Sequence, residues 1–390
     1  MTRIFLILAF ILLPFNVGLS GDMRNSPVVF GLSDVLVLLA IPGAIRAFRK
    51  ETEKPKWAGL LLPTILYVGV GTFSFALNAF GNSQHWLPHL SSFVRTAQIV
   101  LLLPWVFSSV YWTSKDLTLL QEGYLLSVTF LSICGLIAFS RGTQAGLYVM
   151  GEHKNVVGLS TAIGVICALI LFPRRAEEEN SGLIPRWGLV VCALLCGLTL
   201  ACSLSRSSYI AFVIGSLVLA LMQRRAVPLF GIGIVLISIF GVYRVLPQKS
   251  ANYLVGFSTE RYNIAGRTHA NQVAFDRFKE KPVFGDGFRT RKEVLPHNMV
   301  ISSLAETGIV GTLLLFWVIF AQMRWLLQSA KRMKLDTVGM RFRLFLLVGS
   351  LMVLVHSQFD PFWRRGPVWL LWVGSGILIS YLQEQNQRAL

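Results

Sequence analysis

Long apolar runs, separated by short polar connections, recur along the chain from Ile4 almost to its last residues. A transmembrane helix needs roughly 20 consecutive, mostly apolar residues, so the pattern predicts membrane spans. Twelve such runs begin near Ile4, Val28, Trp57, Phe93, Leu119, Val156, Trp187, Ser207, Val227, Met299, Arg343 and Pro367. The expected fold is an all-α membrane protein of about 12 transmembrane helices, with one long, partly helical loop between spans 9 and 10. Spans 1 to 9 occupy 1–246, the loop 247–297, and spans 10 to 12 occupy 298–390. The first run, which follows Arg3, also suits a signal peptide. Its Val17-Gly18-Leu19-Ser20 ending is a poor cleavage site, so a retained helix is expected.

The connections alternate in charge. One set carries Arg46, Arg49, Lys50 and Lys56, then Arg174, Arg175 and Arg186, then Arg224 and Arg225, then Arg324 to Arg343. Short connections on the other side are nearly free of such clusters. Cytoplasmic loops collect Lys and Arg, which puts this set and both termini in the cytoplasm. The loop from Pro247 to His297 then lies outside, with nine Lys or Arg against five Asp or Glu. Loops longer than about 15 residues are usually functional or disordered. Here the helix-favouring stretch Arg267 to Lys279 and the turn residues Pro282, Gly285 and Gly287 predict an ordered element capping the bundle.

Composition removes whole classes. Only 14% of the residues are charged, where a soluble protein keeps about a quarter. The net charge of +17 is met about half by positive-inside topology. No basic stripe interleaved with aromatics suggests a nucleic-acid partner. Cys134, Cys167, Cys192, Cys196 and Cys202 all sit inside apolar runs. They read as small core residues, without disulfide, metal site or cofactor.

The outward connections hold the candidate chemistry: Arg141, His153, Lys154 and Asn155 before the sixth span, Ser205, Arg206 and Ser207 before the eighth, Arg261 and Arg267 in the loop, and His297 and Asn298 at the tenth. Even-numbered spans start outside, so their partly positive N-termini face out beside these cations. Helix N-termini with Arg and Lys suit phosphate, and the membrane-borne anion of that kind is a polyprenyl diphosphate. Arg206 lies between two apolar spans with almost no loop, either as a functional ion or as a snorkelling anchor. His297 is a general base or an ordinary interfacial histidine. Asn298, Ser302 and Glu306 share one helix face, and Glu306 reads better as a polar contact inside the bundle than as a catalytic group. His85 and His89 suit interfacial anchoring, Asp34 pairing with another helix, and Gly285-Asp286-Gly287 a turn. His356, Asp360, Arg364 and Arg365 either border the same cavity or hold their loop.

Gly266-Arg267, Lys281-Pro282-Val283-Phe284-Gly285-Asp286-Gly287, His297-Asn298 and Ala305-Glu306-Thr307-Gly308-Ile309-Val310-Gly311 together resemble the core signature of the O-antigen ligase/polymerase superfamily. Ser205-Arg206 resembles its Ser-Arg pair before a span, and Lys154-Asn155 its Asn-bearing loop. The resemblance implies a bacterial inner-membrane glycosyltransferase that is inverting and metal-independent. It would pass a glycan from undecaprenyl diphosphate to an acceptor hydroxyl on the periplasmic face, the acceptor being lipid A-core for a ligase or a growing polysaccharide for a polymerase. Carried over by position, Arg206 and Arg267 would bind the donor diphosphate and His297 would serve the acceptor; the expected partners are these substrates and membrane lipids.

Two other classes compete. A secondary transporter also suits twelve spans, but the main polar excursion is an outer loop and few charges sit at the bilayer midplane. A structural partner of an envelope complex would not require the Arg and His set.

Overall fold

The computed structural model describes residues 1–15, 31–50, 60–79, 86–141, 149, 153–173, 182–245, 262–287, 296–332, 336–359 and 369–388. These form helices and connecting turns, with no strand among the described residues. In order they are α1 (Thr2–Ile11), α2 (Leu32–Lys50), α3 (Leu61–Ala79) and α4 (Trp86–Ala97). A π-helical turn, Gln98–Leu102, runs on into α5 (Leu103–Ser108). Then come α6 (Ser114–Ser140), α7 (Lys154–Leu171), α8 (Arg186–Cys202), α9 (Arg206–Gln223) and α10 (Val227–Val245). The chain ends with α11 (Tyr262–Glu280), α12 (Met299–Arg332), α13 (Thr337–His356) and α14 (Trp369–Arg388).

Seven of these, namely α3, α6, α7, α9, α10, α12 and α13, are long and apolar enough to cross a membrane. Thr2–Ile11, Phe93–Ser108 and Arg186–Cys202 are apolar but shorter. The chain is therefore an all-α membrane protein with several spanning helices. The first run departs from expectation: its helix ends at Ile11, and Pro14 supplies a reason, since proline disfavours helix in the residue before it. What exists of α1 is packed into the bundle, with Leu6 and Phe10 fully buried and Arg3 on Asp116 of α6 at 3.2 Å. In the π-helical turn, Pro104 lies just beyond; a proline cannot donate to the preceding helical turn, and a π bulge accommodates that loss.

Burial ranks the helices. In α7 94% of the span is buried, whereas in α10 only 22% is. An apolar helix exposed on most of its surface fits lipid as its solvent, while α7 is the central post against which α8, α9 and α13 pack. The buried Asp34 is paired, as its desolvation demands. Asp34 of α2 takes Arg95 of α4 at 2.5 Å and the Gln98 amide at 2.9 Å, the interhelical pairing expected for it. All five cysteines are free, and all but Cys134 are buried.

The long loop contributes α11, which covers the predicted stretch Arg267 to Lys279. Ala270, Ala274 and Arg277 are buried, at the three- and four-residue spacing of one helix face, and α11 packs on α12. Beyond it lies the turn Pro282-Val283-Phe284-Gly285-Asp286-Gly287, as read from the sequence; Gly285 and Gly287 have φ of +69° and +89°. This turn clasps α12 where that helix breaks. Gly308 has φ +65° and ψ −167°, a conformation essentially confined to glycine. On one side of the break, the Asp286 and Gly287 N–H groups donate to the Ala305 and Glu306 carbonyls, each at 2.9 Å. On the other, Ile309 N–H donates to Pro282 and Val310 N–H to Val283. The turn thus supplies partners for backbone groups near the interruption, which in a membrane must be satisfied within the protein.

Side chains lock the clasp. The Asp286 carboxylate accepts from Arg277 of α11 at 3.0 Å and from Lys281 at 2.9 Å. Lys281 also donates to Asn78 of α3 at 2.6 Å, and Ser74 of α3 donates to the Glu306 carbonyl. Phe73 meets Phe284 edge to face, with ring centroids 4.8 Å apart.

Candidate functional site

One end of the bundle gathers the starts of α7, α9 and α12, the end of α13, and α11 above them. The connection from α8 to α9 is a tight turn in which Leu204 takes a positive φ of 52°. Its serines bond one another, with Ser205 Oγ 2.8 Å from Ser208 Oγ and Ser203 Oγ donating to the Leu200 carbonyl at 2.7 Å. Ser208 Oγ reaches the Asn155 carbonyl on α7 at 3.3 Å. A Cβ on Gly158 would meet the Ser203 and Ser208 hydroxyls within 2.8 Å, so glycine there lets the serine turn lie against α7. Arg206 is the first residue of α9, half-buried at this turn.

His153 is the N-cap of α7: its Nδ1 accepts the Asn155 N–H at 3.4 Å. Lys154 and Asn155 follow, both buried. His356, buried at the end of α13, hydrogen-bonds the Asn155 backbone. The start of α12 is tied to the same region. Met299 N–H donates to the Ser357 carbonyl at 2.9 Å. Asn298 Oδ1 accepts from Val300 and Ile301 N–H, and its Nδ2 donates to the Gln358 carbonyl. That gives the Asn298 amide a capping role at both ends. From α11, Asn271 Oδ1 accepts the His297 N–H at 2.9 Å, and one residue turn earlier Arg267 donates to the Phe359 carbonyl at 3.4 Å. Arg267 Nε is buried with no hydrogen-bond partner among the described residues.

The electrostatics follow from crowding of cations in a desolvated place. Burial pushes the His153 imidazole down to about 4, helped by Lys154, Arg267 and His297. Burial, then Arg267, lowers His297 below its ordinary value. Both rings are therefore neutral at neutral pH, and their surroundings oppose further positive charge while favouring an anion. A neutral imidazole can take a proton from a hydroxyl; a guanidinium with an unsatisfied N–H can bind a phosphate oxygen.

Thus His153, Lys154, Asn155, Arg267, His297 and Asn298 assemble around one end of the bundle, with Arg206 on the adjoining serine turn. Arg141 is exposed at the end of α6, with no described contact to that set. Glu306 sits just before the helix break, with its backbone carbonyl engaged by the clasp and by Ser74. Arg261, His85, Asp360, Arg364 and Arg365 lie outside the described residues. Sequence reasoning missed Asn271, Asn78 and Ser74. Asn78 could have been flagged as a polar residue inside an otherwise apolar span; Asn271 lies on a mixed polar helix that offers no such contrast. Among the described residues no group of three His, Cys, Asp or Glu side chains is arranged to hold a metal ion.

The family model described as O-antigen ligase matches residues 190–316. This match supports the O-antigen ligase superfamily. The matched segment runs from α8 through the serine turn, α11, the clasp and the helix break, so it includes Arg206, Arg267, His297 and Asn298, whereas His153 to Asn155 lie before it. A search of curated proteins returned no match to the chain. The match covers about a third of the chain, and what it is similar to is a family of O-antigen ligases.

Proposed function

We propose that the protein transfers a glycan from undecaprenyl diphosphate to an acceptor hydroxyl, as an O-antigen ligase acting on lipid A-core. The reading takes the chain as a twelve-span protein of the bacterial inner membrane, with both termini cytoplasmic and the His153 end of the bundle facing the periplasm. Arg267 carries it: its half-buried guanidinium has an Nε without a hydrogen-bond partner among the described residues and lowers the pKa of two imidazoles, His153 and His297. Arg206 and Arg267 hold the diphosphate and neutralise charge as the sugar–phosphate bond breaks, the preorganised stabilisation that counts most in such transfers. His297 takes the acceptor proton, and one direct displacement inverts the anomeric carbon. The sugar–diphosphate bond is already activated, so no other energy source enters.

The test is purified protein with an undecaprenyl-diphosphate glycan, offered either lipid A-core or a second molecule of donor. Single-length transfer to core supports the ligase. Lengthening of the donor glycan would instead mark a repeat-unit polymerase of the same superfamily. His297→Ala should abolish transfer while the fold and donor binding survive; a fully active variant refutes the base assignment. Arg206→Lys should lose much of the activity, since a point charge cannot replace a bidentate fork.

A further inference from the structure

The packed side of α11 carries Arg267, Asn271 and Arg277, and the fold uses them unequally. They share that side with the buried Ala270 and Ala274, at three- and four-residue spacing, while Thr268, His269, Gln272 and Asp276 are exposed on the other. Arg277 is taken up by the Asp286 carboxylate. Arg267 reaches the Phe359 carbonyl through Nη1. Asn271 is half-buried, and its Oδ1 accepts the His297 N–H at 2.9 Å. A backbone N–H can only donate, so this bond decides which amide atom is the oxygen and sets Nδ2 at the other corner of the amide plane. Among the described residues Nδ2 makes no hydrogen bond. Asn298 is the contrast, with its Oδ1 on Val300 and Ile301 and its Nδ2 on Gln358. Asn271 thus presents an oriented amide donor, on a packed helix side, that the packing does not use.

The transfer reading says what such a donor would meet. The anomeric carbon of the moving sugar has to lie between the diphosphate, held at Arg267, and the acceptor hydroxyl, served by His297. Asn271 stands between those two groups, about one helical turn along α11 from Arg267 and bonded to the His297 backbone. We propose that Asn271 binds the transferred glycan, giving Nδ2–H to an oxygen of the sugar attached directly to the diphosphate, while Oδ1 holds the His297 backbone. The assignment rests on the glycosyl-transfer reading above. A fixed amide donor selects a hydroxyl or carbonyl oxygen at one place on the ring, so Asn271 is a specificity residue for that sugar. One planar amide then keeps sugar and base in register.

Two lipids and two variants separate the ends of the amide. Undecaprenyl diphosphate carries the phosphates without the sugar, and the undecaprenyl-diphosphate glycan carries both. Their dissociation constants are measured without acceptor, on protein recovered folded by size exclusion, and the ratio of the two is the preference for the sugar. Asn271→Asp keeps an oxygen for the His297 N–H but loses the donor; its added charge acts on the diphosphate of both lipids and cancels in the ratio. Asn271→Ala loses both ends. In each variant the preference for the glycan-bearing lipid should fall about two- to tenfold, the effect of losing one neutral hydrogen bond. A preference unchanged in both overturns the proposal. So does a preference lost in Asn271→Ala and kept in Asn271→Asp, which would leave Asn271 as a support for His297 alone. A wild-type protein that binds neither lipid would take down the transfer reading itself. Binding and transfer by the wild type, with its sugar preference intact in the variants, would remove only the role given to Asn271.

Discussion

Replacing Gly308 with alanine tests whether the break in α12 is held by the clasp. At φ +65° and ψ −167° a non-glycine residue costs about 1–3 kcal/mol in backbone strain. A Cβ there would also overlap the Val283 carbonyl and the Phe284 nitrogen. These are backbone atoms and cannot rotate aside, so the turn would have to draw back. Withdrawal gives up the Ile309-to-Pro282 and Val310-to-Val283 hydrogen bonds, worth about 1 kcal/mol each. The expected loss is therefore about 3–5 kcal/mol, summing those contributions. Gly241 is the matched control: it lies within α10 and nothing stands within 4 Å of its would-be Cβ. Alanine there should be neutral or stabilising, since glycine in a helix interior costs about 0.5–1 kcal/mol relative to alanine. Both variants are purified in the same detergent and their thermal unfolding is followed by tryptophan fluorescence and size-exclusion recovery. Gly308→Ala should melt several degrees below the wild type, and Gly241→Ala at or above it. If the two variants melt together, the clasp does not hold the break and the account of α12 is wrong.

Arg95→Ala should lower unfolding resistance markedly, by about 3–5 kcal/mol, because it leaves the buried Asp34 carboxylate without its cation; the double variant Asp34→Asn, Arg95→Gln should regain much of the loss, and an unchanged melting curve for Arg95→Ala alone would count against the pairing. The histidines predict a pH dependence of definite sign. His153 and His297 have folded-state values below the ordinary one, so the stability they contribute is complete above about 6.5, the unfolded value, and falls as pH drops toward 4. Transfer should likewise lose activity only on the acid side as His297 protonates; a profile that rises toward acid would contradict a neutral base. Transfer in chelator should equal transfer without it, and restoration by added divalent metal would overturn metal independence.

Much of the candidate site was legible in the chain itself because its residues lie at helix ends. The position of a helix end follows from hydropathy, and hydropathy also fixes which ends share a side. His153, Arg206 and His297 each immediately precede an apolar run, and Arg267 lies in the one long polar excursion. Their grouping by side could thus be inferred without coordinates. The membership of the site within that side could not. Arg141 precedes the same connection as His153 but sits exposed at the end of α6, because which helix ends adjoin depends on lateral packing, and lateral packing among lipid-compatible helices leaves little trace in hydropathy.

Residue order was enough to establish a helical membrane protein and its polar connections, and to show that Gly285, Gly287 and Gly308 resemble parts of a family signature. What those glycines do emerges from the packing of the folded chain. Gly285 and Gly308 are there because a turn and a broken helix share backbone hydrogen bonds at a distance too close for any Cβ, a constraint between segments some twenty residues apart. The packing likewise decided that Asn298 is spent on capping and that Asp286 gathers Arg277 and Lys281. Each depends on directions and distances of a few ångströms, which residue order alone does not encode.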